Sequence, residues 1–296
     1  MDNKKIYDIL IFGNYTKDTI VSKKGTFYVD GGGFNYGAHA AVNSGKSVAA
    51  VTRLAKEDKH VVDILESIGV DVYPTFTPSS THMRLEYPND NPDDRILTCT
   101  DTAGTYTLDQ FDGLEAKAIL INGSVREEAP LELVKELKKR NSILVADAQG
   151  FIRIVDPNRV LIHAEWPEQK EVLALIDVLK ADIVEAESLT GESDLLKAAE
   201  RLFAMGPKEI VLTHRDGILV YADGKVYEEK FKPKELIGRS GRGDTCIASY
   251  MAKRLTATPA ESIIWSAAVT SLKLEAQGPF KLGLNEIEAM ISEKYN

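Results

Sequence analysis

"IGRSGRGDTCIASY" (residues 237–250) sets three glycines among charged and small polar residues and then passes into an apolar pattern. Ile247, Tyr250, Met251 and Leu255 follow helical spacing, which predicts a helix whose N-terminus falls at Gly241 to Asp244. The first N–H groups of a helix lack partners within it, and with the positive end of the dipole they make an anion site. Glycine lets that backbone approach an oxyanion with no Cβ in the way. Asp244 then has two readings: an N-cap worth about 1 kcal/mol, or a carboxylate set beside the anion for chemistry.

Upstream, short β-branched runs alternate with helical patterns. "DILIFG" (8–13), "SVAAVTRLA" (47–55), "VDVYPTF" (70–76), "AKAILING" (116–123), "SILVADAQG" (142–150) and "KEIVLTH" (208–214) read as strands. "KHVVDILESIG" (59–69), "APLELVKELKKR" (129–140) and "DLLKAAERLFAMG" (194–206) read as helices. This alternation predicts an α/β fold, a mostly parallel sheet covered by helices on both faces. Two insertions break it. "TIVSKKGTFYVDGG" (19–32) and "THMRLEYPNDNPDDRILTCTDTAG" (81–104) alternate polar and apolar residues around turn signals, as half-exposed hairpins do. They read either as a small β lid over one end of the sheet or as surface hairpins with no duty.

Composition bounds the function. The net charge of -9 argues against a general polyanion binder such as a nucleic-acid protein, so any phosphate must sit in a local pocket of donors. Two cysteines, Cys99 and Cys246, are too few for a disulfide framework, and His39, His60, His82, His163 and His214 show no ligand spacing. "MDNKKIYDILIFGNY" carries no cleavage-site pattern and no apolar run reaches membrane-spanning length, which together predict a cytoplasmic protein with no membrane partner. "AAVNSGKS" (40–47) loosely fits a phosphate loop, but its context reads as a helix that Gly45 ends before a strand. "DGGGFNYG" (30–37) lacks the dinucleotide spacing, although consecutive glycines entering a helix suit close approach to a polar ligand.

Four segments in order, over nearly the whole chain, resemble the ribokinase-like (phosphofructokinase-B, PfkB) family of small-molecule kinases. They are "GNYTKD" (13–18), "GGGFN" (31–35), "DIVEAESLTG" (182–191) and "SGRGDT" (240–245). The resemblance implies a three-layer α/β/α sandwich, with 1–18, 31–78 and 104–296 as a nucleotide- and substrate-binding core and 19–30 and 79–103 as the lid. It implies a kinase moving the γ-phosphate of ATP, with Mg2+, to a hydroxyl of a sugar, polyol or nucleoside. A vitamin-type hydroxymethyl kinase and a catalytically silent sensor of the same fold are the alternatives. Asp244 would be the base, with Gly241, Arg242 and Gly243 forming the anion hole. Asp18, Gly32, Gly33 and Asn35 would bind the acceptor, Asp182, Thr213, His214 and Gly217 the nucleotide, and Glu185 the metal, directly or through water. A homodimer through the lid is a further expectation from the family.

The departures are specific. Arg242 stands where the family has a small residue, and its guanidinium either contacts phosphate or points to solvent. Gly238 replaces an acid that helps hold a monovalent cation, which puts potassium activation in doubt. Asp182 replaces an asparagine, and His214 a glycine of the nucleotide segment "LTHRDG" (212–217). Either Asn35 or Tyr36 fills the substrate-asparagine position. "WSAAVTSLKLEAQGPF" (265–280) either backs the adenine or is an ordinary core helix.

Overall fold

The computed structural model describes residues 5–23, 25–89 and 96–295. Residues 1–4, 24, 90–95 and 296, parts of the expected core and lid, lie outside the described residues. The strands in chain order are β1 (Ile6–Phe12), β2 (Thr16–Ser22), β3 (Gly25–Gly31), β4 (Val48–Ala55), β5 (Asp71–Thr77), β6 (Thr81–Glu86), β7 (Ile96–Asp101) and β8 (Glu115–Ile121). They continue with β9 (Ile143–Asp147), β10 (Arg153–Val155), β11 (Leu161–His163), β12 (Val178–Asp182), β13 (Glu209–Thr213), β14 (Gly217–Ala222) and β15 (Lys225–Lys230).

Nine of them form one sheet in the order β15-β14-β13-β12-β9-β8-β1-β4-β5. The seven strands from β5 to β13 pair in parallel, and β14 and β15 add an antiparallel hairpin at one edge. Pro74 is tolerated in β5 because that strand is the other edge. The period-2 geometry of β1 explains why its run is apolar throughout. Ile9 and Ile11 face one core with the helices Gly33–Asn43, Arg242–Arg254 and Pro259–Leu274, whereas Leu10 and Phe12 face the other with Leu131–Lys138 and Leu195–Ala204. The α/β class and the mostly parallel sheet expected from the sequence are therefore present.

After β1 the chain moves outward to β4 and β5, and later returns to the opposite side of β1 at β8. That reversal opens a crevice beyond the carboxyl ends of the parallel strands. Over it lies a separate sheet of order β3-β2-β6-β7, whose first strand starts at Thr16, three residues earlier than the expected hairpin. Met83, Leu85, Cys99 and Val125 form a small core beneath it. A further hairpin, β10 with β11, was not expected from the sequence, although "RIVDPNRVLIH" (153–163) carries both the alternation and the turn.

Gly45 does end a helix: it has φ 78, its amide donates to the Val42 carbonyl, and β4 starts three residues later, so this stretch holds no phosphate loop. The three glycines 31–33 each have a reason to lack a side chain. A Cβ on Gly31 would fall 2.3 Å from Asp18 Oδ2; Gly32 has φ 93; a Cβ on Gly33 would fall 2.4 Å from Asn122 Oδ1. Replacing Gly33 by Ala should therefore destabilise the fold by about 1–3 kcal/mol, read as a lower denaturant midpoint. An unchanged midpoint would contradict this packing.

Candidate active site

A cavity of about 450 Å³ occupies the crevice. Its floor is made where the parallel strands end. Thr16 and Asp18 lie on β2 just beyond β1, Ser124 follows β8, Gln149 follows β9, Lys180 and Asp182 lie in the second half of β12, Thr213 ends β13 and His214 follows it. Met83, Leu85, Tyr87 and Leu97 of the small sheet face it from above, and Arg239 to Asp244 form one wall.

That wall is the N-terminus of the helix Arg242–Arg254. Gly241 is its N-cap at φ 73, and a Cβ there would lie 2.0 Å from the Tyr36 ring, so only glycine fits on both counts. Asp244 is thus not the N-cap; it is the third residue of the helix, and its carboxylate faces the cavity floor, where Gln149 Nε2 donates to Oδ1 at 3.3 Å. The Arg242 amide donates to the Arg239 carbonyl at 3.2 Å, which leaves Gly243 and Asp244 as the amides of this turn aimed at an anion. Lys180 Nζ lies beneath Gly243, within 2.7 Å of where a Cβ would stand.

The electrostatics are dominated by burial. Lys180 pairs with Asp147 at 3.0 Å and with Glu185 at 3.6 Å, and Arg153 reaches Glu185 at 2.9 Å. Burial would strip the Lys180 proton, but the charges of Asp147 and Glu185 outweigh it and hold the ammonium well above its usual range. Burial also acts against ionised Glu185, yet Lys180, Arg153 and the Asp182 amide hold that carboxyl at about 2. Asp147 is pushed up to about 7 by burial, with Lys180 opposing. Asp244 is likewise raised by burial, against Lys180 and Arg153, which makes it a stronger base than an ordinary aspartate. Burial lowers His214, so its imidazole is neutral at physiological pH.

Residues 6–281 match the pfkB family of carbohydrate kinases. The chain belongs to this family. A cytidine kinase of Thermococcus kodakarensis is 25% identical over 269 residues, 87% of this chain and 92% of the relative. A pyrophosphate-dependent kinase of the ribokinase family, solved with a pyrophosphate analogue and myo-inositol, superposes at TM-score 0.88 with 30% identity, covering 95% of this chain and 99% of the other. Ribokinase of Arabidopsis thaliana, solved with ribose and ATP, shares the fold at TM-score 0.78 and 18% identity, covering 97% and 99%. The protein is a kinase, and no helix among the described residues is long and apolar enough to cross a membrane.

This pfkB kinase brings most of the residues named from its sequence to one cavity: Asp18, Gly32, Gly33, Asp182, Thr213, His214, Gly241, Arg242, Gly243 and Asp244 all line it. Tyr36 lines it too, whereas Asn35 stands behind, its Nδ2 donating to the Asp30 carbonyl at 3.1 Å. Gly217 lies outside the wall, and a Cβ on it would fall 3.1 Å from His214 Nε2. Glu185 is fully buried and committed to Arg153, Lys180 and the Asp182 amide, so its carboxylate does not reach the cavity. Arg153, Lys180, Arg215 and Arg239 line the site and were missed. Lys180 had a signal, a lysine inside "VLKAD" (178–182), a run otherwise fit for a buried strand.

The Glu185 pairs should show in acid. A folded-state value near 2, below the unfolded 4.5, stabilises above pH 4.5 and is lost as pH falls toward 2. Glu185→Gln should cost about 3 kcal/mol at pH 7 and flatten the loss of stability between those limits in denaturant titrations. An equally steep loss in the variant would contradict the pairing.

Proposed function

We propose that this kinase transfers a phosphoryl group from a polyphosphate donor to a hydroxyl of a polyol, sugar or nucleoside, with pyrophosphate and a cyclic polyol as the pair that fits best. The observation that carries this reading is the wall of the cavity. Arg153, Lys180, Arg215, Arg239 and Arg242 gather there in a chain of net charge -9, a local concentration of cations suited to a compact tetra-anion. Among the described residues the wall ends at Asp244 and takes nothing from 265–280, the segment the resemblance assigns to adenine. The reason is local: the Ile237 and Gly238 amides both donate to the Leu274 carbonyl at 2.9 and 3.1 Å, and Gln277 Nε2 donates to the Ile237 carbonyl at 2.7 Å. Segments 237–238 and 274–277 are thereby joined to each other, and neither contributes to the cavity. ATP would use the same cradle for its phosphates, whereas pyrophosphate needs no contact beyond it. The pyrophosphate analogue and myo-inositol in the similar kinase support this choice.

In the mechanism, Asp244 accepts the proton of the attacking hydroxyl as the new O–P bond forms and the P–O–P bond of the donor breaks. The Gly243 and Asp244 amides and Lys180 meet the negative charge on the transferring oxygens, and Arg153 and Arg242 meet that on the leaving phosphate. Asp18, Thr16 and the Tyr36 hydroxyl, which is buried and has no hydrogen-bond partner among the described residues, are placed to hold the other hydroxyls of the acceptor. The small sheet acts as the lid, covering the acceptor with Met83, Leu85 and Leu97 and excluding water. Magnesium would neutralise donor charge. Its ligands would be mainly phosphate oxygens, because no cluster of acidic or imidazole side chains for an ion exists among the described residues, and Asp182 is a carboxylate at the wall able to assist.

Two outcomes check this. Asp244→Asn should keep donor and acceptor affinity and lose about 10²–10⁴-fold in turnover; retention of turnover would remove Asp244 as the base. In parallel assays with myo-inositol, pyrophosphate should support faster phosphomonoester formation than ATP. A clear preference for ATP would return the donor to a nucleotide and require the 237–238 and 274–277 segments to part.

A further inference from the structure

Lys273 is 2% exposed, in the last turn of the helix Pro259–Leu274. Among the described residues no carboxylate lies within ion-pair distance of it. Its Nζ donates to the Gly238 carbonyl at 2.9 Å and stands 5.6 Å from the centre of the Tyr36 ring. A buried ammonium is costly unless local dipoles offset its lost hydration, and here a carbonyl and an aromatic face do so. Burial pulls its pKa down to about 8, with Asp244 raising it and Arg242 lowering it, so at neutral pH the group keeps its proton. It does not line the cavity, so it touches neither donor nor acceptor.

What Lys273 touches is the support of the anion hole at both ends. Gly238 begins the segment that leads to Gly241, and the Tyr36 ring is the surface on which Gly241 rests. We propose that Lys273 is a positioning residue, a built-in cation that holds residues 238–241 and Tyr36 in register so that the amides of Gly243 and Asp244 are preorganised without a free monovalent ion. This rests on the reading of Gly241 to Asp244 as the phosphoryl site. A hydrophobic side chain of equal length would pack in the same space; only a cation binds the Gly238 carbonyl and the ring face together.

The test is Lys273→Met, which keeps the stem and removes the charge, assayed beside the wild type in buffers whose cation is tetramethylammonium, potassium or ammonium. Wild-type turnover should be the same in all three. The variant should melt as a folded protein, lose about 10²-fold in turnover in tetramethylammonium, and recover when potassium or ammonium enters the space left beside the Gly238 carbonyl. Undiminished turnover of the variant in tetramethylammonium would overturn the proposal. So would a folded, slow variant that neither ion rescues, or a wild type that fails when potassium is withdrawn. If Lys273→Met does not fold, the wild-type comparison decides. If the wild type turns over no donor at all, the functional reading has failed separately. Calorimetry of pyrophosphate binding then carries the test: weaker binding to the variant, restored by potassium, supports the proposal, and equal binding overturns it.

Discussion

Three carboxylates, Asp147, Glu185 and Asp244, share one buried region with two cations, Lys180 and Arg153, and the site depends on how that imbalance is resolved. Each acid taken from water costs several kcal/mol unless it is paired. Glu185 takes the best partners and stays ionised far into acid; Asp147 and Asp244, left with a smaller share, are both raised by burial, Asp147 to about 7. In the proposed mechanism a donor phosphate beside Lys180 and Arg153 would meet cations already fixed by Glu185 and Asp147, which reduces the reorganisation required as charge develops. On that proposal Glu185 would act from behind the site, through the two cations it pairs with.

The glycines express the same economy of space in the backbone. Gly241 is pressed on Tyr36, Gly243 lies over the Lys180 ammonium, and Gly33 on the Asn122 side chain. In each case a polar or aromatic group occupies the volume a Cβ would need, so the glycine-rich stretches mark where the elements around the cavity converge. The glycines allow a helix N-terminus to sit directly above a buried ammonium, and Asp244 stands in the first turn facing the crevice.

The parallel sheet could be read from the chain because both of its faces are covered, making runs such as Ile9 to Phe12 continuously apolar. The helix start at Gly241 was equally plain, since glycine, a change of polarity and helical spacing coincide there. The choice between Asn35 and Tyr36 was not, because neighbouring helix positions differ by about 100° and both suit a helix that is buried on all sides in its first turns. Arg153 escaped for another reason: its pairing with Glu185, 32 residues away, leaves no local pattern, and the lysine in the apolar run 178–182 gives no sign of its partner Asp147, 33 residues away. The hydrogen bonds that join segments near 238 and 274 are again a contact that spacing along the chain does not encode.

The central claim is that the transferred phosphoryl group sits on the N-terminus of the helix Arg242–Arg254, beside Asp244. A crystal structure with a non-hydrolysable pyrophosphate analogue and myo-inositol tests it most directly. The account expects one phosphoryl group within hydrogen-bond distance of the Gly243 and Asp244 amides and of Lys180, with an acceptor hydroxyl against the Asp244 carboxylate. An analogue bound elsewhere, or a hydroxyl out of reach of Asp244, would contradict it.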